Sequence, residues 1–136
     1  MSMDVRFFSS FQEALEFFER ERERLRSRLE ELRVVVKEFE ELRSNPIYEE
    51  VEERVQEFES VFGKIRIVIS EPLSKLLERL HSILSDLEVA VKNLDETIST
   101  LRKALDQDPS LKNVKGTVIV VLENYLAKRV IVVLAP

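Results

Sequence analysis

Residues 71–107 carry an unbroken heptad pattern, and this pattern limits the possible folds more than any other feature of the sequence. Two rows of apolar residues, each spaced by seven, run through the segment without exception: Leu73, Leu77, Leu80, Leu84, Leu87, Val91, Leu94, Ile98, Leu101 and Leu105. A third, less complete row widens the stripe with Leu76, Ile83, Ala90 and Ala104. Because several neighbours are needed to cover a stripe of this width, the pattern favours a bundle over a two-stranded coiled coil.

Two earlier segments repeat the heptad spacing. Over residues 10–43 one row is apolar throughout, namely Phe11, Phe18, Leu25, Leu32 and Phe39. Its neighbouring row is interrupted by Arg22 and Arg43, and Ser10 with Glu13 forms a capping box at the start. Over residues 46–69 both rows are apolar, with Val51, Val55, Phe58, Phe62, Ile65 and Ile69. Both segments are therefore predicted to be helices.

Capping residues next to prolines divide the chain into segments. Asn45 and Asp108 each precede a proline, which is the arrangement expected for an N-cap followed by the first helical position. Ser70 lies two residues before Pro72 and is a candidate cap for the third segment. These boundaries predict helices over about 10–43, 46–69, 71–107 and 110–134.

The fourth segment also fits a different structure. Val118–Leu122 and Val130–Leu134 are rich in β-branched residues, as is Lys64–Ile69, and Asp4–Phe8 is a weaker example. Gly63 and Gly116, the two glycines of the chain, immediately precede two of these runs, where a helix could end and a strand begin. Against strands, Glu123–Arg129 favours helix and lacks a hairpin turn signal.

We therefore predict an all-α fold, an elongated bundle of three long helices plus a C-terminal helix, forming a single domain over residues 1–136. The alternative is an α+β fold, in which short strands near 64–69, 117–122 and 130–134 pack on the helices.

Composition excludes several classes of function. The net charge of −5 is opposite to that expected of a general nucleic-acid binder. The longest apolar runs have five or six residues, whereas a membrane-spanning helix needs about 20, so we expect a cytoplasmic protein without a membrane span. Many Glu–Arg pairs and the absence of cysteine would suit a thermophile. With no cysteine, one histidine and two isolated glycines, we predict no catalytic residue, cofactor or metal.

Charged residues provide the candidate interaction surface. Arg20, Arg24 and Arg28 are four residues apart and form a basic stripe on the first helix. Residues 30–59 contain eleven Glu against four basic residues. From this acidic segment we select Glu49, Glu50, Glu53 and Glu57, together with the basic stripe, as a docking site for a basic partner or a second copy. Glu78 and His81 have a metal-ligand spacing, but a di-iron site needs that motif twice.

The predicted function is a non-enzymatic protein-interaction or assembly module that associates with itself or with another protein. One alternative is a metal-dependent all-α enzyme using Glu50 and Glu53 on the Glu-rich second helix. The other is a nucleic-acid-associated structural protein using the Arg20–Arg28 stripe, which the negative net charge disfavours.

Overall fold

A computed structural model describes residues 3–135 and shows an α+β fold, so the all-α prediction is wrong. Two long helices pack together with two antiparallel sheets. In chain order the elements are β1 (Met3–Phe8), α1 (Phe11–Glu41), β2 (Arg54–Ser60), β3 (Gly63–Ser70), α2 (Leu73–Gln107), β4 (Gly116–Glu123) and β5 (Leu126–Leu134). The helices predicted over 10–43 and 71–107 are present as α1 and α2, whereas those predicted over 46–69 and 110–134 are absent.

The chain divides into two compact units, and each long helix contributes residues to both. Unit 1 comprises residues up to 29 and from 86 onward. Its antiparallel sheet has the strand order β1-β4-β5, and alternate residues of the sheet, Phe8, Val118, Val120 and Leu122, are buried. The helical side of this core is formed by residues of the predicted heptad rows, including the fully buried Phe18, Leu94, Ile98 and Leu101. Unit 1 therefore has a core of its own.

Ion pairs between the helices accompany the core of unit 1. Asp95 of α2 accepts hydrogen bonds from Arg22 at 3.3 Å and Arg26 at 3.2 Å, and Glu19 pairs with Arg102 at 2.5 Å. Arg22 occupies an otherwise apolar row, and its interhelical pair with Asp95 explains how that row accepts a charge. Arg43, the other interruption, lies beyond α1 and is exposed.

The connection between β4 and β5 explains why the last helix was predicted wrongly. Asn124 and Tyr125 form a two-residue turn in which both residues have positive φ, 47° and 65°. Asn adopts this conformation readily and Tyr does not, so the sequence lacks the usual hairpin signal. Tertiary hydrogen bonds hold the turn instead, because Asn93 donates to the Asn124 carbonyl at 2.9 Å and Thr97 donates to the Tyr125 carbonyl at 2.7 Å.

Unit 2 comprises residues 30–85 and contains the end of α1, the β2–β3 hairpin and the start of α2. Among the described residues of this unit, only Val36, Leu73 and Leu77 are buried. Glu49 caps α2 by accepting hydrogen bonds from the Ser74 backbone N–H at 2.6 Å and from its hydroxyl at 2.9 Å. The predicted cap Ser70 instead donates to the carbonyl of Glu52.

The other predicted caps begin short turns rather than long helices. Asn45 accepts from the Ile47 N–H and opens the 3-10 turn Pro46–Tyr48, and Asp108 accepts from the Ser110 N–H and opens Pro109–Asn113. Ser10 does cap α1, accepting from the Glu13 N–H at 3.0 Å. A cap fixes where a helical turn starts, but continuation of the helix depends on burying an apolar face, which is why two of these signals misled the prediction.

Candidate interaction surface

The β2–β3 hairpin of unit 2 has one apolar face and one charged face. Side chains alternate between the faces of a strand, and residues paired across the hairpin share a face. The register pairs Phe58 with Ile65 and Gln56 with Ile67. Ile69 lies at the register shift between the Val55–Val68 and Arg54–Ser70 pairs and is the next exposed apolar residue of β3 after Ile67. We group it with the paired positions and define the apolar hairpin face as Phe58, Ile65, Ile67 and Ile69. Gln56, which pairs with Ile67, is the polar residue in the two cross-strand pairs of this face.

The residues of this face are 46–55% exposed, so the described chain leaves about half of each side chain open to water. None of the residues of β2 or β3 is buried by residues 3–135. At the end of the hairpin, Val61 is 96% exposed and Phe62 is 100% exposed, and these two residues are the hairpin tip. Neither residue has positive φ, and Gly63, which follows with φ 127°, provides the conformation that turns of this kind assign to glycine.

The opposite face of the hairpin is charged and internally paired. Glu57 lies opposite Arg66 in the register and 4.0 Å from the ammonium group of Lys64. Glu59 lies opposite Lys64. Opposite charges across an antiparallel pair stabilise the ribbon modestly. Further along the same face Val55 pairs with Val68, and both of these apolar residues are partly buried. The charged hairpin face is thus Glu57, Glu59, Lys64 and Arg66.

Two of the acidic residues predicted to form an interaction surface have structural partners. Glu49 caps α2 as described above, and Glu53 forms an ion pair with Lys75 at 2.6 Å and lies 3.7 Å from Arg66. The hydrogen bond and positive charge of Lys75 hold the pKa of Glu53 below its ordinary value. Glu57 belongs to the charged hairpin face, and Glu50 is exposed in the segment between α1 and β2.

The predicted basic stripe lies on the part of α1 that belongs to unit 1. Arg20, Arg24 and Arg28 are all exposed. Two hydrogen bonds to Glu21, at 2.9 and 3.1 Å, together with that residue's charge, raise the pKa of Arg24, and Tyr125 contributes in the same direction. The stripe and the four selected Glu residues are assigned to different units.

The alternative of a metal-dependent enzyme relied on Glu50 and Glu53 lying on one face of a second helix. Glu50 and Glu53 were placed one helical turn apart, but the segment that contains them is not a helix. His81 contacts Glu40 of α1, with 2.9 Å between Nε2 and the carboxylate oxygen. Among residues 3–135, no three His, Asp or Glu side chains are grouped so that they could hold a metal ion.

Unit 1 carries a second exposed apolar surface, on the side of its sheet opposite the core. Residues that alternate with the buried ones share this side, and they pair in the register as Val5 with Val121, Phe7 with Ile119 and Ile119 with Ile131. We define the outer sheet face by seven apolar residues: Met3, Val5, Phe7, Ile119, Val121, Ile131 and Val133. Five of them are exposed and two are partly exposed.

Sequence reasoning missed the apolar hairpin face because it assigned Phe58, Ile65 and Ile69 to the buried stripe of a helix. It missed the outer sheet face because residues 110–134 were predicted to be helical. The alternation of Ile65, Ile67 and Ile69 was the available signal for the hairpin. Comparisons with protein-family models, with curated proteins and with solved structures found no match to this chain. None of the described helices is both long enough and apolar enough to cross a membrane.

Proposed function

We propose that this chain is a non-catalytic assembly module, and that a second copy covers the apolar hairpin face of unit 2. The observation that carries the proposal is the apolar hairpin face itself, together with the Val61-Phe62 tip. A two-stranded hairpin is only marginally stable alone in water, and it gains stability when another surface packs against its apolar side. The core of unit 2 offers little compensation, because so few of its described side chains are buried.

The exposed area is large enough for a specific interface. A fully exposed aromatic side chain presents roughly 150–250 Å², so the four residues of the apolar hairpin face and the two of the tip present roughly 700 Å² together. A monomeric protein rarely exposes a contiguous apolar patch larger than about 300–600 Å². Burying this surface on two copies removes roughly 1,400 Å² from water, within the range of about 1,200–2,000 Å² for stable complexes.

The distribution of charge favours a second copy over a charged partner. In a two-fold interface every charge meets a duplicate set, so a face without charges can pack against itself without repulsion. The four residues of the apolar hairpin face carry no charge, and Glu57, Glu59, Lys64 and Arg66 alternate onto the other side. Arg54, at the register shift where β2 begins, is the charged residue that follows the alternation of Gln56 and Phe58, so a charge lies at one end of this face. A strongly basic partner would leave its charges against an apolar surface, which costs desolvation energy without compensation.

Light scattering coupled to size-exclusion chromatography tests the proposal. The wild-type chain is expected to have a molar mass above that of the monomer at micromolar concentrations. Ile67→Ser, on the apolar hairpin face, is expected to weaken association at least about tenfold, because truncating a central interface residue costs more than about 1 kcal/mol. Glu59→Ser, on the charged hairpin face, is the matched control and should associate like wild type. A wild-type monomer at about 100 μM would refute the proposal.

Salt dependence distinguishes self-association from binding to a basic partner. Unit 2 contains thirteen acidic and eight basic residues, so two copies of it repel each other at long range. Because salt screens this repulsion over a Debye length of about 10 Å at 0.1 M, self-association should strengthen as salt rises from about 0.05 to 0.5 M. Weaker association at high salt would show that charge attraction, not the apolar face, holds the copies together.

A further inference from the structure

The outer sheet face of unit 1 is a second exposed apolar surface, and its residues are distinct from those of the apolar hairpin face. We propose that this face packs against the same face of another copy, so that two sheets stack across an interface. Antiparallel sheets in proteins normally have one apolar side on a core and one polar side in water. Here the solvent side carries seven apolar residues, and Phe7, on the edge strand β1, is 67% exposed.

The amount of apolar surface is consistent with a weaker contact than that of the hairpin. The seven residues of the outer sheet face expose roughly 500 Å², using the same areas per side chain. Two copies would bury roughly 1,000 Å², which is near the lower limit for a specific interface. We therefore expect this contact to form at higher protein concentration than the hairpin contact.

Charge on this face suits a second copy of the chain. Besides the apolar residues, the face carries Glu123 and Arg129 towards one end, where Arg129 pairs in the register with Val121. These two charges have opposite signs, so a two-fold arrangement can bring Glu123 of one copy to Arg129 of the other. Unit 1 also contains thirteen acidic and thirteen basic residues, which leaves no net charge to oppose the approach of two copies.

Part of the outer sheet face lies on an edge strand of the sheet. β5 is an edge strand, and its segment Val130–Leu134 contains neither a charged residue nor a proline. Edge strands of soluble proteins are usually protected by such residues or by a covering element. In β5 the charged residues Lys128 and Arg129 lie at one end only. A second copy stacked on the outer sheet face would cover Ile131 and Val133 of this strand, whereas Val130 and Val132 lie on the other side of the sheet.

Two self-complementary surfaces on one chain predict an assembly larger than a dimer. If each chain uses both surfaces, every hairpin dimer can bind further dimers through the outer sheet face. The sheet contact does not depend on the hairpin contact, whereas the larger assembly rests on the proposed function. The two can therefore be separated by variants that disrupt one surface at a time.

The test compares molar mass by light scattering for four proteins over a range of concentrations up to about 500 μM. We expect wild type to exceed the dimer mass, Ile131→Lys to stop at the hairpin dimer, and Ile67→Ser to stop at the sheet dimer. The chain carrying both substitutions should be a monomer. Ile131→Val keeps the apolar β-branched side chain and is expected to assemble like wild type.

Other light-scattering results would overturn one contact or both. A wild type that stays dimeric, with Ile67→Ser monomeric throughout, overturns this inference and leaves the proposed function standing. Wild-type mass in Ile67→Ser with loss of mass in Ile131→Lys refutes the hairpin contact and supports the sheet contact. Binding of phosphatidylcholine vesicles by a monomeric wild type overturns both. If Ile131→Lys changes the circular dichroism spectrum, Phe7→Lys replaces it, because that side chain projects from the outer sheet face.

Discussion

Both units pair an antiparallel sheet with segments of the same two helices, yet they bury their apolar residues very differently. In unit 1 one side of the sheet contributes Phe8, Val118, Val120 and Leu122 to a closed core. In unit 2 neither strand contributes a buried residue within the described chain. Both units have antiparallel strands, but unit 1 buries one side of its sheet and unit 2 buries neither side of its hairpin. We propose that association compensates for this difference in unit 2.

The two glycines test the difference in packing between the units most strongly, since Gly116 begins β4 in unit 1 and Gly63 begins β3 in unit 2. A Cβ atom on Gly116 would lie 1.9 Å from the carbonyl oxygen of Val133, whereas a Cβ on Gly63 would meet nothing within 4 Å. Both residues have positive φ, so both alanine variants are strained. We expect Gly116→Ala to lower the free energy of unfolding by about 3 kcal/mol or more and Gly63→Ala by about 1 kcal/mol.

Urea denaturation followed by circular dichroism measures both effects on the same scale. Equal losses for the two glycine variants would mean that the close approach of β4 and β5 at Gly116 does not limit the stability of unit 1.

Alanine substitution of one isoleucine in each unit tests the difference in burial between the units. Ile98 in unit 1 is 1% exposed and Ile67 in unit 2 is 46% exposed. Ile98→Ala should lower the free energy of unfolding by about 2–5 kcal/mol through lost burial and a cavity. Ile67→Ala should change it by less than about 0.5 kcal/mol at concentrations where the chain is dissociated. Urea titrations at low and high protein concentration check this, and a large effect of Ile67→Ala in the dissociated chain would show that the hairpin packs within its own chain.

Thr97 tests how far one hydrogen-bonding side chain supports unit 1. Its fully buried hydroxyl donates to the Tyr125 carbonyl and accepts from the Ala127 N–H at 2.9 Å. Thr97→Val keeps the shape but leaves both backbone groups without this partner, so we expect a loss of about 1–3 kcal/mol. Thr97→Ser retains the hydroxyl and should lose less. If the valine variant proves as stable as wild type in thermal melts, the turn does not need this support.

Acid titration gives the smallest effects, one in each unit. Hydrogen bonds from Ser9 lower the pKa of Glu13 from its ordinary 4.5, and Lys75 does the same for Glu53. A lowered pKa in the folded state adds stability that is present above pH 4.5 and disappears as the pH falls through the folded-state value. Glu13→Gln and Glu53→Gln should each flatten the stability profile below that pH. Unchanged profiles in urea titrations between about pH 3 and 6 would contradict the assignments.

The helices were predictable from the sequence because their apolar rows are long and coincide with real burial. Leu77, Leu94 and Leu101 belong to the predicted stripe and are buried in α2. The strands were misjudged because apolar residues spaced by three and four, such as Val55, Phe58 and Phe62, fit a helical stripe as well as a strand and its turn. Only contacts distant in sequence, such as Thr97 with the Tyr125 turn, decide between them.

The candidate surface was less predictable than the fold. Charged residues were chosen because they cluster in sequence, but Glu49 and Glu53 are engaged in capping and ion pairing within unit 2. The apolar hairpin face was invisible for the opposite reason, since apolar residues such as Ile65 were assumed to be core. Whether an apolar residue is buried depends on what packs against it, and sequence periodicity alone does not contain that information.

Thiol labelling tests the central claim most directly, because the chain contains no cysteine. Ile65→Cys and Lys64→Cys place a single thiol on adjacent residues that lie on opposite faces of the hairpin. With a second copy on the apolar hairpin face, the maleimide labelling rate of Ile65→Cys falls as protein concentration rises, and that of Lys64→Cys stays constant. A labelling rate for Ile65→Cys that is independent of concentration, in a chain shown to associate, would contradict the account.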